Sequence, residues 1–372
     1  MRRLPSQPSA FVTCCALSVL LAGCAHTAST SVDTTSLSSY IDSLANQEIY
    51  EHKTPGLSIA VLRDGAVVFA KGFGLADIQH HVVATSETRY AIGSITKQFT
   101  AASILLLSEQ HKLTLDAPLS KYFPKFDGAA RIKLRNLLGH TSGLHNYPWL
   151  LEHHWPTKGT IAPSSILSIL QQDKLDFKPG SHYEYSNSNY AVLAAIVAQV
   201  SGEPYPEFVE RRIFKPLGMD SSGSGEAFGR REPTAPGYSS LFGLFLRQQF
   251  LSLDLFYGAG SIVSTVGDMA KWDEALLRGE VLSKASFRMM ITSGKLNDGH
   301  DSGYGMGFVP GSQDGHRSAW HNGLTPGAGG YCFNIIYPDD NLAVVILSNG
   351  SKFDGEPEQL ATKIFRYIKD KK

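Results

Sequence analysis

The sequence predicts an α/β protein of the α+β type, in which a mainly antiparallel sheet carries helices from both ends of the chain. Strand-like segments cluster near residues 57–70 and again near residues 303–348 of the 372-residue chain. Residues 115–255 mix helical segments with loops rich in proline and glycine. Strands separated from helices in this way favour an antiparallel sheet with an inserted helical region.

The composition narrows the class of protein. Lysine and arginine number 34 and are balanced by 34 acidic residues, and 42% of the chain is hydrophobic. This composition excludes a disordered chain, and it argues against nucleic acid as a partner because nucleic-acid-binding proteins carry a basic excess. Four cysteines do not make a disulfide scaffold. We therefore expect an ordinary globular domain.

Residues 1–23 have the pattern of a secretion signal. Two arginines near the start precede an apolar stretch that is too short to span a bilayer, and the stretch ends in Leu-Ala-Gly-Cys at positions 21–24. This ending resembles the bacterial lipoprotein box, in which the cysteine, here Cys24, is acylated and becomes the first residue of the mature protein. A signal peptide cut elsewhere, or a buried helix, is the alternative interpretation.

The residues after Cys24 fit an anchored protein. Residues 24–36 are rich in serine and threonine without an apolar period, which is typical of a flexible tether. Ala25 rather than an aspartate follows the cysteine, and by resemblance to the sorting rules of such lipoproteins this favours the outer membrane. We expect a bacterial cell-envelope protein that faces the periplasm, with its folded domain over residues 37–370.

Each early element has a local signal. Residues 36–52 have the pattern of an amphipathic helix. Two apolar runs, 57–62 and 66–70, flank an Asp-Gly pair at 64–65, which is a strong signal for a hairpin. Residues 94–110 are apolar on several faces, so we expect a buried helix there.

The later part of the chain returns to strands. Thr265 and Asp268 have the spacing of a capping box that opens a helix. Cys332 stands in an alternating run and is interpreted as a packed strand residue rather than a nucleophile. A turn at 338–341 and a closing helix over 356–369 complete the chain. The predicted strands of this part are 303–309, 318–321, 329–337 and 342–348.

Ser94 and Lys97 form a candidate nucleophile and base at the start of the buried helix. A spacing of three residues places both side chains on one helix face. The helix N-terminus favours negative charge on the serine, and a poorly solvated lysine at this positive end is easier to deprotonate. It could then accept the serine proton. Alone the motif is weak, because an N-cap serine beside a solvated lysine has the same pattern.

Tyr185 and Asn187 lie about 90 residues later, before an apolar helix. A tyrosine near a cationic lysine can have its phenol acidified and shuttle a proton. An asparagine amide can both donate to and accept from a substrate amide. A turn with an ordinary asparagine cap is the alternative interpretation of this segment.

His321 and Gly323 close a strand-like run. A glycine at this position lets a substrate backbone approach the strand closely. The backbone N–H of Leu324 could be one donor to an oxyanion, and the N–H of Ser94 the other. A histidine whose hydrogen bonds are satisfied in the core or at the surface is the alternative.

Taken in chain order, three short motifs resemble those of the serine β-lactamase and penicillin-binding protein superfamily, namely Ser94-x-x-Lys97, Tyr185-x-Asn187 and His321-x-Gly323. A tyrosine in the second motif is similar to the branch of class C β-lactamases, D-alanyl-D-alanine carboxypeptidases and esterases. The resemblance spans about residues 40–370. Further stretches that resemble this branch are 73–77, 134–144 and 258–265 with 268–269.

The resemblance implies a fold and a mechanism. The fold would be a β-lactamase-like α/β/α sandwich with an inserted all-helical subdomain, over about 115–255, and the site would lie in the cleft between them. Ser94 would form an acyl-enzyme, and Lys97 and Tyr185 would share the general-base and general-acid work. Asn187 would orient the substrate amide. His321 would stand where β-lactamases carry a lysine, lending electrostatics or a hydrogen bond.

Departures from the family pattern bear on the substrate. His321 and Asn322 replace the lysine and threonine of the third motif. In the carboxypeptidase branch, hydroxyls in and just after this motif help hold the substrate carboxylate. Here Asn322 and Leu324 occupy those places, although Thr325 follows, so a carboxylate anchor is not obvious. Asn322 and Gly323 are the expected substrate-binding residues. We therefore expect a small-molecule or peptide substrate that is a carboxylic ester or an amide with a D-amino acid beside the scissile bond.

Other functions stay open at this point. One alternative is a β-lactamase or D-alanyl-D-alanine carboxypeptidase that acts on β-lactams or peptidoglycan stem peptides. Another is a penicillin-binding or cell-wall-binding lipoprotein with little turnover. The apolar segment 241–257 is either core of the helical region or a flap over the acyl pocket. The histidine pairs at 80–81 and 153–154 are interpreted as surface residues, no metal or organic cofactor is expected, and the chain is expected to be a monomer.

Overall fold

Strands from both ends of the chain pair in one antiparallel sheet, as the sequence predicts. The computed structural model describes residues 34–147, 162–225, 228, 234–242, 244–248, 252–325, 329–351 and 356–371. Its strands are β1 (Gly56–Arg63), β2 (Ala66–Asp77), β3 (Val82–Val83), β4 (Tyr90–Ala91), β5 (Gly223–Ser224), β6 (Tyr238–Leu241), β7 (Leu244–Arg247), β8 (Ile262–Ser264), β9 (Val309–Gln313), β10 (His316–Leu324), β11 (Tyr331–Tyr337) and β12 (Leu342–Ser348). Seven of them form the main sheet in the order β3-β2-β1-β12-β11-β10-β9.

Two apolar runs of the sequence are the central strands β1 and β12. β1 pairs with β2 on one side and with β12 on the other. Both faces of a central strand are covered, so its residues are apolar in succession rather than alternately. Leu57, Ile59 and Val61 face one layer of helices, whereas Ala60 and Leu62 face the other.

The turn between β1 and β2 is the predicted hairpin. Asp64 and Gly65 have φ values of 51° and 78°. Positive φ at both central residues is what a two-residue type I′ turn requires, and Asp-Gly is a favoured pair for it. The sequence signal and the backbone geometry therefore agree.

Helices cover both faces of the sheet. The helices are α1 (Thr34–Tyr50), α2 (Thr96–Glu109), α3 (Leu134–Leu138), α4 (Pro163–Leu170), α5 (Asn187–Ser201), α6 (Tyr205–Val209), α7 (Lys215–Leu217), α8 (Tyr257–Gly260), α9 (Val266–Arg278), α10 (Lys284–Met290) and α11 (Glu356–Asp370). α1 and α11 pack on the outer face, where the rings of Tyr40 and Tyr367 stack at 4.2 Å. α2 and α9 pack on the inner face, where Phe99 contacts Trp272.

The helix α9 begins as its sequence predicts. Thr265 is the N-cap residue, and its hydroxyl accepts a hydrogen bond from the backbone N–H of Asp268 at 3.1 Å. An N-cap side chain of this kind satisfies one of the free donors at a helix start. The Asp268 carboxylate accepts from the N–H of Ser221, the hydroxyl of Ser222 and the Nζ of Lys271.

Two boundaries differ from the prediction. The first helix begins at Thr34, so the last three residues of the expected tether belong to it. Residues 303–308 do not form the expected strand, which begins only at Val309. Gly303 and Gly307 have positive φ values of 79° and 82°, which lie outside the strand region. The irregular backbone between them carries Tyr304 into the interior, where it is 1% exposed.

The apolar segment 241–257 splits into two parts with different environments. β6 and β7 form a hairpin whose tip is exposed, with Phe242 96% and Leu244 67% accessible. Phe245 lies against the ring of His52, next to the end of α1. Leu253 is buried with Ala91 and Val263 of the three-stranded sheet, so the end of the segment is core, whereas the tip of the hairpin is not.

Several predicted features lie outside the described residues, namely the signal peptide 1–23, Cys24 and the pair His153-His154. Within the described ranges, no helix is long and apolar enough to cross a bilayer. Cys332 is buried in β11, as expected for a packed strand residue. His80 is exposed and contacts Asp77 at 2.9 Å, in agreement with its interpretation as a surface residue.

Candidate active site

Ser94 and Lys97 are in contact at the start of α2, as their spacing predicts. Ser94 lies in a single 3-10 turn, Gly93–Ile95, that leads directly into α2. The Lys97 Nζ and the Ser94 Oγ are 3.0 Å apart, within hydrogen-bond distance. The lysine side chain is fully buried, whereas Ser94 is partly exposed. The alternative of a solvated lysine beside an N-cap serine is therefore wrong.

The surroundings of Lys97 favour the uncharged amine. Besides Ser94, Nζ contacts two oxygens at 2.8 Å, the Asn187 Oδ1 and the Ala259 backbone carbonyl. Neither of those two oxygens carries a proton to donate. Burial lowers the pKa of Lys97 well below its ordinary value, which confirms the sequence-based expectation. In a neutral amine, two N–H bonds serve these two oxygens and the lone pair is directed at the Ser94 hydroxyl.

Tyr185 lies beside Lys97 and Ser94. Its ring centroid is 4.7 Å from the Lys97 Nζ. Burial raises the pKa of Tyr185 above its ordinary value, and the neighbouring Ser94 side chain offsets this only in part. The expected acidified phenol is therefore wrong, because a neutral Lys97 supplies no cation to stabilise a phenolate. Tyr185 is a protonated hydroxyl.

Asn187 is fixed by both its backbone and its side chain. It is the first residue of α5, and its N–H donates to the Asn146 Oδ1 at 2.9 Å. Its own Oδ1 accepts from Lys97, which assigns the oxygen of the amide to the lysine. The Nδ2 group is then the part of the side chain that is left to donate to a substrate carbonyl.

His321 lies close to the site, but both of its ring nitrogens are already occupied. Nδ1 lies 2.6 Å from the backbone carbonyl of Asn322, which can only accept, so Nδ1 carries the proton. Nε2 therefore accepts from the hydroxyl of Tyr304 at 2.9 Å. Burial lowers the pKa of His321 to about 3. His321 is a neutral, internally satisfied imidazole that does not replace the cationic lysine of the third motif.

Asn322 does not face the nucleophile. Its Nδ2 donates to the Tyr331 hydroxyl at 2.7 Å, and that hydroxyl donates to Glu358 of α11. Side chains alternate between the two faces of a strand, so a residue next to the inward-facing His321 must point outward. The expectation that Asn322 binds substrate is therefore wrong.

A glycine is required at position 323 because another backbone segment of the protein packs directly against it. A Cβ atom at this position would lie 1.9 Å from the Ile92 carbonyl oxygen. The expected close approach exists, but the group that approaches is the turn before the nucleophile. A side chain here would displace that turn, and with it Ser94.

The same contact brings the two expected oxyanion donors together. A Cβ at Gly93, which has φ of 52°, would lie 2.7 Å from the backbone nitrogen of Leu324, and one at Gly323 would lie 3.2 Å from that of Ser94. The end of β10 and the nucleophile turn are thus in van der Waals contact. This places the N–H groups of Ser94 and Leu324 on neighbouring backbone segments.

Sequence reasoning missed three groups of this site. They are the Ala259 carbonyl, the Tyr304 hydroxyl and the ring of His140, which lies 4.4 Å from that of Tyr185. Two of them lie in stretches that resemble the family, 134–144 and 258–265. Tyr304 lies in a stretch with a strand-like pattern, in which alternation gives no signal for it. Over the residues that the structure describes, no three His, Cys, Asp or Glu side chains form a cluster that could hold a metal ion.

Comparisons with known proteins agree with this geometry. The Beta-lactamase family model matches residues 40–367. PbpX of Bacillus subtilis (strain 168), which is named for penicillin binding, is 34% identical over 312 residues, covering 83% of this chain and 74% of PbpX. A D-aminopeptidase of Brucella anthropi is 31% identical over 266 residues, covering 69% of this chain and 49% of that protein.

Among solved structures, an octameric penicillin-binding protein homologue from Pyrococcus abyssi superposes with a TM-score of 0.76 at 27% identity, covering 89% of this chain and 77% of the other. The fold, the ordered motifs and the match over almost the whole described chain point the same way. The chain belongs to the β-lactamase family, and it is a serine hydrolase.

Proposed function

We propose that this serine hydrolase transfers the acyl group of a neutral carboxylic ester, or of an amide with a D-amino acid beside the scissile bond, to Ser94 and then to water. One observation carries the proposal. Lys97 Nζ is fully buried, is bonded to Ser94, Asn187 and Ala259, and has a strongly lowered pKa. A neutral amine held in this way is a general base directed at one hydroxyl.

The proposed acylation follows from the contacts. Lys97 takes the Ser94 proton while Oγ attacks the carbonyl carbon, and the N–H groups of Ser94 and Leu324 stabilise the oxyanion. Asn187 Nδ2 orients the substrate carbonyl or amide. As the intermediate collapses, the protonated Tyr185 hydroxyl donates to the leaving oxygen or nitrogen, and Lys97 returns its proton to the phenol. Water then attacks the acyl-enzyme with the same groups in reversed roles.

The charge distribution supports an uncharged reacting end of the substrate. Burial lowers the pKa of Lys97, His140 and His321 and so favours the uncharged form of all three. A substrate carboxylate would meet no cation among these three groups. β-Lactams and D-alanyl-D-alanine peptides carry such a carboxylate next to the reacting bond, whereas simple esters and amides do not. The D-configuration rests on the relative that is named a D-aminopeptidase.

Four substrates compared side by side test this proposal. They are p-nitrophenyl butyrate, D-alanine p-nitroanilide with its L-enantiomer as control, a cephalosporin and a D-alanyl-D-alanine peptide, each with the full chain and with Ser94→Ala. We expect Ser94-dependent turnover of the ester and the D-amide. A higher kcat/KM for the cephalosporin or the dipeptide would overturn the substrate assignment. Full activity in Ser94→Ala would overturn the mechanism.

We also propose that Cys24 carries the lipid that holds the protein to the outer membrane of a bacterial envelope, with the domain facing the periplasm. The support is the sequence around residues 21–25. In cell fractionation, Cys24→Ala should move the protein from the membrane fraction to the soluble periplasmic fraction. Retention of Cys24→Ala in the outer membrane would contradict the anchor.

We propose further that the catalytic unit is a single chain, although one structural relative is octameric. The support is that Ser94, Lys97, Tyr185 and Asn187 meet within one chain. Light scattering coupled to gel filtration should show an active species with the mass of one chain. Activity that appears only in a larger assembly would contradict this.

A further inference from the structure

A short segment after α3, residues 140–147, is hydrogen-bonded to the loop that carries Tyr185. The backbone carbonyl of His140 accepts from the N–H of Glu184 at 2.9 Å, and its ring Nδ1 accepts from the N–H of Ser186 at 3.2 Å. These two bonds bracket Tyr185, because its neighbours on both sides are attached to one residue. Further along, the hydroxyl of Ser188 donates to the carbonyl of His145. The loop is therefore held along its length by residues 140–147.

The ring of His140 also contacts Tyr185 itself. The two ring centroids are 4.4 Å apart. Nδ1 accepts a second bond, from the Asn189 Nδ2 at 3.1 Å, and the Asn189 Oδ1 accepts from the hydroxyl of Ser142. Asn189 is thus oriented so that it presents a donor to the imidazole. Two donors at Nδ1 require that this nitrogen carry no proton, so the proton of His140 is on Nε2.

The conformation and surroundings of His140 are energetically unfavourable, which a residue that only fills space would not require. Nε2 is buried, and it has no hydrogen-bond partner in the described part of the chain. The backbone of His140 has a φ of 55°, a left-handed conformation that side-chain-bearing residues adopt at a cost. Burial lowers the pKa of His140 well below its ordinary value, so the ring stays neutral. An apolar side chain would avoid the unpaired N–H, but it would leave the donors of Ser186 and Asn189 without an acceptor.

We infer that His140 is a positioning residue for Tyr185: its carbonyl, its Nδ1 and its ring face together hold the phenol against Ser94. The inference rests on the proposed function, in which Tyr185 moves the proton of the acylation step. Displacing a reacting group by about 1 Å can lower a rate by about 100-fold. The effect of His140 on catalysis should therefore pass through the tyrosine hydroxyl, and it should disappear when that hydroxyl is removed.

A double-mutant cycle tests this in the full chain. His140→Phe keeps an aromatic ring but removes the acceptor, and His140→Asn keeps an acceptor oxygen and tolerates positive φ but removes the ring. Each is combined with Tyr185→Phe. The readout is the acylation rate with p-nitrophenyl butyrate, measured as the burst of p-nitrophenol in stopped flow. His316→Phe is the matched control, since its ring also bonds a side chain and contacts a phenylalanine, but on the outer face of the sheet.

We expect His140→Phe to slow acylation by about 10- to 100-fold and His140→Asn by about 3- to 10-fold. In the Tyr185→Phe background, each should change the rate by less than about twofold, and His316→Phe should have no effect on acylation in either background. If His140→Phe does not fold, as judged by circular dichroism, the His140→Asn cycle decides.

Equal fold losses in both backgrounds would show that His140 acts on the fold rather than on Tyr185, and would overturn the inference while leaving the proposed function intact. An unchanged burst in Tyr185→Phe would overturn both the role of Tyr185 and the inference. Loss of Ser94 dependence would overturn the proposed function itself. The three failures are therefore distinguishable.

Discussion

Two adjacent residues of α2, Lys97 and Gln98, are both fully buried and belong to different polar clusters. Lys97 bonds to Ser94, which is partly exposed. Gln98 accepts from the Trp272 indole N–H at 2.9 Å and donates to the Asn334 Oδ1 at 2.8 Å. The same helix thus directs one side chain toward the candidate cleft and the next into a closed interior.

The two clusters differ in whether a substrate can reach one of their members. The cluster of Lys97, Ser94 and Asn187 is called the open cluster, because Ser94 is partly exposed. The cluster of Gln98, Trp272, Asn334 and Asp273 is called the closed cluster. The second cluster ends at Asp273, whose Oδ2 accepts from the Asn334 Nδ2 at 2.7 Å, and every member of it is buried. His321 stands beside both clusters, because it pairs with Asn334 across β10 and β11 and lies near Lys97. Burial of a polar group is therefore no sign of catalysis by itself. What distinguishes Lys97 is a lone pair directed at an accessible hydroxyl.

The largest effect should come from removing the base of the open cluster. Lys97→Met preserves the length of the side chain but deletes the amine that accepts the Ser94 proton. General-base catalysis contributes about 10²- to 10⁴-fold, so acylation should slow by that factor or more. The burst of p-nitrophenol from p-nitrophenyl butyrate measures it. A rate within tenfold of the wild-type rate would remove the contrast between the two clusters.

The closed cluster should show the opposite behaviour. Gln98→Met leaves the Trp272 N–H and the Asn334 Oδ1 buried without partners, and each unpaired group costs about 1–3 kcal/mol. The free energy of unfolding, measured in urea, should therefore fall by about 2–6 kcal/mol. The rate per folded molecule should stay within about threefold of the wild-type rate. A large loss of acylation without a loss of stability would show that Gln98 belongs to the catalytic cluster.

Some of this contrast was predictable from the sequence and some was not. The contact of Ser94 with Lys97 follows from helix geometry alone, and the β1–β2 hairpin follows from its Asp-Gly turn. Both signals are local. The direction of the pKa shift of Tyr185 depends on burial by residues far away in sequence. Proximity to a lysine predicted a lowered pKa for the phenol, whereas burial raises it. The outward side chain of Asn322 depends on strand register, which three residues of a motif do not define.

The isolated acid of the closed cluster gives a pH test of the comparison. Burial raises the pKa of Asp273 well above its ordinary value, and its Oδ1 has no partner in the described residues. A raised folded-state pKa adds stability at low pH, and this stability is lost as the pH rises from the unfolded-state pKa, about 4, toward the folded-state pKa.

Asp273→Asn keeps the shape of the neutral acid and cannot ionise. Urea unfolding at several pH values should show that the variant loses this decline, so that it gains stability relative to wild type as the pH rises above about 4. Its acylation rate should follow the wild-type pH profile, because Asp273 has no bond to the open cluster. A parallel pH dependence of stability in wild type and variant would show that Asp273 is ionised.

The smallest effect should come from Asn322. It follows His321 in β10, and its side chain points to the opposite face of the sheet, as the side chain of Gln98 points away from that of Lys97 in α2. The Asn322 amide is bonded to Tyr331 on the outer face, and the sheet separates it from Ser94. Asn322→Ala removes one hydrogen bond of a half-buried side chain, so the free energy of unfolding should fall by about 1 kcal/mol. The acylation rate should change by less than about twofold, for esters and for substrates with a carboxylate alike, since a residue on the outer face cannot contact either.

A selective rise in KM for the cephalosporin or the D-alanyl-D-alanine peptide would mean that the strand presents Asn322 to the substrate. In that case the face assignment of β10, and with it the division into an open and a closed cluster, would be wrong.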